Sequence, residues 1–478
     1  MATISSPGIG SGLDVNGLVA QLMAVERQPM QQLQARQQQV TSQVSAYGKL
    51  SSAMSALQEK ATALTRDAPW NATQATSSQP AVVKAETASG GRAASGVYNV
   101  SVSQLATAQT LVTDKTWAAP TDKLGSGTIT VEFGTWNAAQ TSFTGSGSPE
   151  TITISSGADS VEEVRDAINA AAKGITASLI QDASGTRLML RADETGKAQG
   201  FRITVNDDNP PHTDDKGLSA LVFSQSTKQM SQTRAAGNAL ASIDGVAIES
   251  PSNVLDGSFE GLSLTLQQTT ASPVQVTVTR DRTVARTAIL DFAKAYNDLM
   301  ALLREQTRVG APGTASGVLK GDSAATGLAA SLRGLSTATT AASSALQRLT
   351  EVGLEPQRDG SLRIDESKLD AALSQFDAMQ QLFARDAPGT SSDGLATLFK
   401  DFAGTTLATD GTLDARQDAL RARLDSYRDR MERLEDRLAR TEKRVTAQYS
   451  RLDSSLSALK SLQTYVEQQI SSWNAKSQ

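Results

Sequence analysis

The stretch from Leu413 to Trp473 carries the clearest structural signal in the sequence and reads LDARQDALRARLDSYRDRMERLEDRLARTEKRVTAQYSRLDSSLSALKSLQTYVEQQISSW. Apolar residues recur in it at alternating spacings of three and four, which predicts one long helix with a coiled-coil seam. At 1.5 Å per residue, some 60 residues would form a rod about 90 Å long. Polar residues interrupt the seam at Gln417, Thr441, Gln448, Ser455 and Gln469. A seam this polar is typical of a helix that partner chains complete.

The N-terminal segment has the same helical period between Leu18 and Leu64. Pro29 would end a first helix and open a second one, because proline lacks the N–H that the first helical position does not need. The sequence therefore predicts two helices, over residues 14 to 28 and 30 to 66. The helical period returns from Thr283 to Leu303, after a long segment with a different texture.

Short β-branched runs separated by turn residues fill that segment, from Asn71 to Arg280, and predict strands. Within it, Ser160 and Glu163 have the spacing of a capping box and open a helix that runs to Ala172. Helices thus bracket the strands. We predict an α+β, multidomain fold in which the N- and C-terminal helices form a coiled-coil or helical-bundle leg, with β-rich modules inserted between them.

Four parts are expected along the chain. Residues 1–40 and 430–478 form the terminal helical leg, partly disordered when free, and residues 41–75 and 282–429 form a helical bundle domain. Residues 76–115 and 236–281 form a β-rich domain, and residues 116–235 form an inserted β-rich domain around the capped helix. The Gly-, Ala-, Ser- and Thr-rich stretch from 310 to 345 is too weakly patterned for its structure to be predicted.

Composition excludes several classes of function. The net charge is -5 and the sequence pI is about 5.3, with acidic and basic residues interspersed, so nucleic acid is not expected as a partner. The absence of cysteine excludes disulfides and thiolate metal sites. No apolar stretch reaches the length of a membrane span and the start lacks a secretory signal, so we expect no membrane insertion, and either a soluble protein or export by another route.

The stretches that could bind a ligand are explained more simply as loops. His212, the only histidine, lies among the aspartates of residues 207–215, which could hold a hard cation, but the Pro-Pro pair favours a solvated loop. The glycines of residues 8–12 lack the preceding strand of a phosphate-binding fingerprint and read as a flexible lead-in. No stretch has the spacing of a catalytic motif, and we expect no enzyme activity, no metal and no cofactor.

The apolar positions of the terminal helices are therefore the candidate functional residues, since a polar-interrupted seam is expected to bind partner chains. These positions are Leu13, Leu18, Leu22, Val25, Leu424, Met431, Leu434, Leu438, Val445, Leu452, Leu459 and Val466.

Four further stretches occur in a distinctive order. They are SSPGIGSGLDVNGLVAQLMAVERQP (5–29), SVEEVRDAINAAAKGITASLIQDASGTRLMLRADETG (160–196), ASIDGVAIESPSNVLDGSFEGLSLTL (241–266) followed by FAKAYNDL (292–299), and EVGLEPQRDGSLRIDESKL (351–369). The second is similar to the flagellin hook IN motif, named for the pair seen here as Ile168-Asn169. Together, in this order, they resemble the flagellar hook-associated protein 2 (FliD) family over nearly the whole chain.

The resemblance implies a structural cap at the distal tip of the bacterial flagellar filament that promotes flagellin polymerisation and prevents leakage of flagellin monomers. It implies a secreted protein, exported through the flagellar type III apparatus without a cleaved signal. The implied partners are further copies of the chain in a ring, for which we expect a pentamer, together with flagellin, the hook-filament junction protein and a flagellar export chaperone at the C-terminal helix.

Two alternatives come from other classes. An adhesin would bind host glycans or mucin through the exposed β-domains, and a fragment of about residues 76 to 281 would then bind alone. An enzyme would need a convergent polar pocket, which the sequence does not indicate. Among structural proteins flagellin is the nearest rival, but the segment from Val352 to Leu369 resembles the cap family.

Overall fold

The computed structural model describes residues 14–88, 93–208, 214–387 and 392–475. Its helices are α1 (Val15–Glu26), α2 (Gln28–Thr65), α3 (Ala68–Asn71), α4 (Val161–Ala171), α5 (Arg282–Thr307), α6 (Ser323–Ser336), α7 (Glu366–Ala372), α8 (Phe376–Ala384), α9 (Leu395–Leu407) and α10 (Thr412–Ala475). Its strands are β1 (Thr73–Ser77), β2 (Val83–Thr87), β3 (Gly96–Gln104), β4 (Thr110–Thr113), β5 (Gly127–Trp136), β6 (Phe143–Gly145), β7 (Glu150–Ile154), β8 (Ile175–Asp182), β9 (Gly185–Ala192), β10 (Gly200–Asp207), β11 (Met230–Arg234), β12 (Ala239–Ile243), β13 (Val246–Ser250), β14 (Val254–Phe259), β15 (Leu262–Leu266), β16 (Val274–Arg280), β17 (Leu354–Pro356) and β18 (Leu362–Ile364).

The chain divides into two compact units. The helical unit contains the residues up to Trp70 and those from Thr283 onward, and the β-rich unit contains Asn71 to Arg282. Both ends of the chain thus belong to one unit, and the other unit is inserted between them. This organisation confirms the α+β, multidomain prediction with helices at both chain ends.

The N-terminal helices break where the sequence predicts. Helix α1 ends at Glu26, and α2 begins at Gln28 with Pro29 in its first turn. The carboxylate of Asp14 caps α1 by accepting a hydrogen bond of 2.8 Å from the N–H of Gly17. Proline is tolerated at this position because the N–H of a first-turn residue has no partner within the helix.

One core holds the helical unit together. On α2, the side chains of Tyr47, Leu50, Met54 and Leu57 are fully buried, and they pack with apolar residues of α5, α8, α9 and α10. Each fully buried side chain of this size contributes about 1.5–3 kcal/mol of hydrophobic stabilisation. Helix α2 is therefore the central element of the unit, although its sequence is rich in glutamine, serine and alanine.

The weakly patterned stretch after α6 is held by side chain to backbone hydrogen bonds. The buried hydroxyl of Thr340 donates to the carbonyl of Asp393 at 2.5 Å and accepts from the N–H of Ala342 at 3.0 Å. The buried Ser343 hydroxyl accepts from the N–H of Leu346 at 3.3 Å. Serine and threonine can offer the backbone such partners outside helices and strands, so this segment is ordered without an apolar period.

The β-rich unit has two cores. In the first, a sheet of order β1-β16-β3-β12-β13 packs with a sheet of order β14-β15-β2. In the second, a sheet that joins β10, β5, β6 and β7 packs with α4 and with a sheet of order β11-β4-β9-β8. The paired strands are antiparallel, and the two-residue turn between β12 and β13 has both residues in the left-handed region, Asp244 with φ 46° and Gly245 with φ 85°.

The Ile168-Asn169 pair joins α4 to the following strand. Ile168 is buried in the second core, and the side-chain amide of Asn169 donates to the carbonyl of Ala177 at 2.9 Å and accepts from its N–H at 2.7 Å. The predicted capping box of Ser160 and Glu163 is present at the other end of α4. The pair therefore fixes how the helix lies on β8.

Strand β4 departs from the boundary expected at residue 116. Its residues Thr110 to Thr113 lie between β9 and β11 in a sheet of the second core, where the Leu111 side chain is fully buried. The strand is only four residues long and is followed by polar residues, so its pattern does not reveal which sheet it joins. The inserted domain we now propose runs from about Thr107, which pairs with Gly237, to Gly237 itself.

A fragment of residues 107–237 should fold alone, whereas a fragment of residues 116–235 should be much less stable because it lacks an internal strand. The loss of buried Leu111 alone costs about 1.5–3 kcal/mol, before the unpaired backbone of β9 and β11 is counted. Amide dispersion and urea unfolding of the two fragments measure the difference. Equal stability would contradict the assignment of β4.

Candidate partner-binding surface of the terminal helices

Helix α10 is anchored to the helical unit along its first half. Leu413, Leu420 and Tyr427 are buried in the helical core, since they occupy the side of α10 that faces the unit. Leu424, Met431 and Leu434 are half-buried against the same core. The apolar seam of this half is therefore satisfied largely by the chain's own residues, including those of α2.

A buried carboxylate fixes the N-terminal end of α10, which we call its root. Asp322 caps α6, and its oxygens also accept hydrogen bonds from the Tyr47 hydroxyl of α2 at 2.6 Å and from the Arg416 guanidinium of α10 at 2.7 Å. Burial opposes ionisation of Asp322, but the hydrogen bonds from Tyr47 and Arg416 outweigh it and lower the pKa of the carboxyl. Burial, together with the Asp322 carboxylate, raises the pKa of the Tyr47 phenol. Helices α2, α6 and α10, which are distant in sequence, are thus joined through the Asp322 carboxylate.

Helix α1 packs on the next part of α10 through one of its two apolar faces. Its buried side chains are Val15, Val19 and Met23, which pack with Leu438 and, beside it, Val445 of α10. The candidate partner-binding residues Leu18, Leu22 and Val25 lie on the neighbouring face. Helix α1 has apolar residues on two faces, so the period alone does not tell which face turns toward α10.

The second face of α1 remains open to solvent in the described part of the chain. Leu18 is half-buried, Leu22 is 42% exposed and Val25 is 62% exposed. Leu13 lies outside the described residues. Exposed apolar residues next to an established helix pair are available for contact with another chain.

The end of α10 carries an apolar stripe that the described residues leave uncovered. Leu452 is 48% exposed, Leu459 is 62% exposed and Val466 is 47% exposed, at successive intervals of seven residues. Leu462, Tyr465 and Ile470 are exposed beside them. In the described parts of the chain, the last α10 residues packed by α1 are Val445 and Tyr449. We call the six exposed residues from Leu452 to Ile470 the tail stripe.

The candidate residues therefore divide into two groups. Leu424, Met431, Leu434, Leu438 and Val445 lie against the chain's own helices. Leu22, Val25, Leu452, Leu459 and Val466 lie exposed. The sequence gives all of them the same period, and only the lengths and positions of the neighbouring helices separate the two groups.

Other candidate sites are occupied by local structure. Asp207 accepts a hydrogen bond from the N–H of Ser219 at 3.0 Å, and Asp208 accepts one from the Ser126 hydroxyl at 2.6 Å, while His212 lies outside the described residues. In the part of the chain that the structure describes, no three acidic or histidine side chains converge as a metal site would require. Within the same ranges, no helix has the combined length and apolar character of a membrane span.

The helical unit is made from both chain ends, a β-rich unit is inserted between them, and the end of α10 is uncovered in the described residues. The family profiles that match the chain are the N-terminus of flagellar hook-associated protein 2 at residues 11–109, its C-terminus at residues 236–461, and the flagellin hook IN motif at residues 142–194. They indicate a structural protein of the flagellar hook-associated class.

Relatives match over most of the chain. Flagellar hook-associated protein 2 of Escherichia coli strain K12 is 32% identical over 87% of each chain. The B-type flagellar hook-associated protein 2 of Pseudomonas aeruginosa is 30% identical over 87% of this chain and 86% of the relative. The crystal structure of the D1-D2-D3 domains of the flagellar cap protein FliD from Escherichia coli aligns with a TM-score of 0.58 and 30% identity, over 79% of this chain and 99% of that one.

The chain belongs to the flagellar hook-associated protein 2 family. It is a structural cap of the bacterial flagellar filament, exported and located at the filament tip. The relatives give no support to the adhesin alternative, and the family is one of structural proteins.

Replacing Asp322 with Asn removes the charge at the root of α10. We expect the free energy of unfolding of the helical unit to fall by about 1–3 kcal/mol at neutral pH, because Asn keeps one uncharged acceptor oxygen, so the Tyr47 hydroxyl and the Arg416 guanidinium no longer each have a carboxylate oxygen to bind. A lowered pKa means that the carboxylate contributes stability above its unfolded pKa of about 3.9, and that this contribution is lost as the pH falls. The difference between wild type and Asp322→Asn should therefore shrink between about pH 5 and pH 2.

Urea titrations across this pH range measure the difference. Asp298→Asn is the matched control, because Asp298 pairs with Lys294 on the surface of α5, where an ion pair contributes little. A difference between wild type and Asp322→Asn that is the same at every pH would contradict the role given to this carboxylate.

Proposed function

We propose that the chain forms a homo-oligomeric ring, a pentamer, at the distal end of the filament, where it promotes flagellin polymerisation and retains flagellin monomers. The terminal helices make the contacts with flagellin in this proposal. The observation that carries it is the tail stripe, which the described part of the chain leaves uncovered. The proposed leg consists of residues 1–40 and 430–478, of which residues 1–13 and 476–478 lie outside the described residues.

The size of the tail stripe suits a contact that forms and is released. Full burial of one large apolar side chain contributes about 1.5–3 kcal/mol, and these six are each about half exposed. Covering them would contribute about 5–9 kcal/mol, from which the cost of ordering two chains is subtracted. A net affinity of this order allows a cap to hold the filament end and still shift when a new subunit enters.

The same stripe supports the proposal of an export chaperone at the C-terminal helix. Six exposed apolar side chains on one helix are an aggregation hazard before assembly. A chaperone that covers them would remove this hazard, and would have to dissociate before the stripe binds its partner at the tip. The hook-filament junction protein is the proposed partner beneath the cap before flagellin is added.

Replacing Leu452, Leu459 and Val466 together with Asp should abolish capping, because three carboxylates would have to be buried at the contact. Cells that lack the native protein and express this variant should swim poorly and release flagellin into the medium. Calorimetry should show an unchanged β-rich unit, since these positions are far from its cores.

The control places the same charges on the other side of the same helix, at Ser454, Ser461 and Gln468. These residues follow the first three by two positions, so they point away from the stripe, and their replacement with Asp should leave swimming intact. Secretion of each variant separates the two proposed uses of the stripe: low secretion indicates chaperone binding, and normal secretion with flagellin leakage indicates capping. Normal swimming with normal flagellin retention in the Leu452, Leu459 and Val466 variant would overturn the proposal.

A further inference from the structure

Helix α10 has a basic flank beside its seam. Arg430, Arg437 and Arg444 follow one another at intervals of seven residues, each directly before a seam residue, which places them in the position that coiled coils denote g. Arg433 and Arg440 lie next to them on the same side of the helix. Five arginines therefore line one side of α10 over about four turns.

The opposite flank of the same segment is acidic. Glu435 and Glu442 follow seam residues by four positions, which is the position denoted e, and Glu432 lies beside them. One stretch of helix thus carries arginines on one side of its seam and glutamates on the other.

The arginines of the basic flank have no ion-pair partner within residues 14–88, 93–208, 214–387 and 392–475. Earlier arginines in the same heptad position do have local partners: Arg416 binds Asp322, and Arg423 donates to the Tyr427 hydroxyl at 3.0 Å. On the acidic flank, Glu442 makes one contact of 3.7 Å with Arg27, and both side chains are half exposed. The charges on the two flanks are therefore available to another chain.

The basic flank is also concave. Arg433, Arg437 and Arg440 line a hollow of about 610 Å³ that reaches Glu26 at the end of α1. A second hollow of about 380 Å³ has Leu33 and Leu434 in its lining. Side chains of a neighbouring helix could enter both hollows, and in the second hollow they would reach the apolar surface of Leu33 and Leu434.

A second copy of this chain has the complementary surface. In a ring related by rotation, neighbouring copies of a helix run in the same direction, and one side of each helix meets the other side of the next. The chain's own helices cover the seam of this segment, so the sides that meet are its two flanks, the g side of one helix and the e side of the next. Glu435 lies five residues after Arg430, and Glu442 lies five residues after Arg437. One alignment of the two helices therefore brings both pairs together.

We propose that the basic flank of α10 docks the acidic flank of α10 from the next copy, with Arg430 opposite Glu435 and Arg437 opposite Glu442 of that copy. This contact rests on the proposed ring and specifies its direction, since the two flanks differ. Exposed ion pairs give specificity and orientation more than affinity, so the contact selects the neighbour while apolar burial holds it.

Charge reversal on each flank, alone and combined, tests the proposal in the full chain. The basic-flank variant is Arg430→Glu with Arg437→Glu, and the acidic-flank variant is Glu435→Arg with Glu442→Arg. Each should weaken self-association about tenfold or more in sedimentation velocity, because like charges then face each other. The variant with all four changes restores opposite charges and should recover self-association to within about threefold of wild type.

Asp418→Arg with Asp425→Arg is the matched control for the acidic-flank variant, because it makes the same charge change on α10 before either flank begins. Both aspartates are exposed and pair with Arg421 and Arg428 of the same helix, so self-association should change less than about twofold. Raising the salt from about 50 to about 500 mM should weaken wild-type association and have less effect on Arg430→Gln with Arg437→Gln. These neutral variants also serve if the reversed ones fail to fold by circular dichroism.

Loss in both single-flank variants without recovery in the fourfold variant would overturn the pairing, as would equal loss in the control. Binding of the basic flank to flagellin instead would appear as unchanged self-association with reduced flagellin retention, and would also overturn it. A wild-type chain that stays monomeric at every concentration would remove the proposed ring as well, whereas normal assembly of every variant would remove only this contact.

Discussion

The antiparallel packing of α2 on α10 is the interaction on which the rest of the structure depends. Near the root of α10, the Gln417 side-chain amide donates to the Ser51 hydroxyl at 2.8 Å, and at the far end Arg27 approaches Glu442. Because these helices come from opposite ends of the chain, the helical core closes only when both ends are present. The β-rich unit is accordingly an insertion with its own two cores, joined to the helical unit near Trp70 and Thr283.

The terminal helices have an exposed surface because α10 is much longer than α1 and α2. Helix α10 has 64 residues, whereas α1 has 12 and α2 has 38. The described N-terminal helices cover α10 as far as Tyr449, and the apolar heptad continues beyond that point. The chain therefore packs the first part of α10 with buried apolar contacts and leaves the end of the seam exposed. We propose that the exposed part directs assembly.

The sequence allowed the architecture to be predicted because several elements carry a strong local signal. Pro29 marks the break between α1 and α2, Ser160 with Glu163 starts α4, and Asp244-Gly245 makes the hairpin turn. The weak signals lie where nonlocal contacts decide. Strand β4 is too short to reveal its sheet, and the segment around Thr340 is held by hydroxyl to backbone bonds that leave no apolar period.

The sequence shows which positions of the terminal helices are apolar, but it does not show which of them are exposed. Periodicity identifies Leu434 and Leu459 equally, yet only the second is exposed, because covering depends on where another helix ends. The Asp322 carboxylate that joins α2, α6 and α10 had no signal beyond its place as a helix cap, since Tyr47 and Arg416 are distant in sequence. The arginines and glutamates lie on opposite sides of the α10 seam. Their arrangement can be interpreted once the structure shows that the seam faces the chain's own core.

The chain's own helices cover α10 as far as Tyr449, and we infer that other chains cover the remainder. Amide hydrogen exchange of the full chain can be compared between the free monomer and the assembled cap on filament ends. We expect strong protection of residues 413–449 in both states, and protection of residues 452–472 only in the assembled state. Equal protection of residues 452–472 in the two states would contradict this inference.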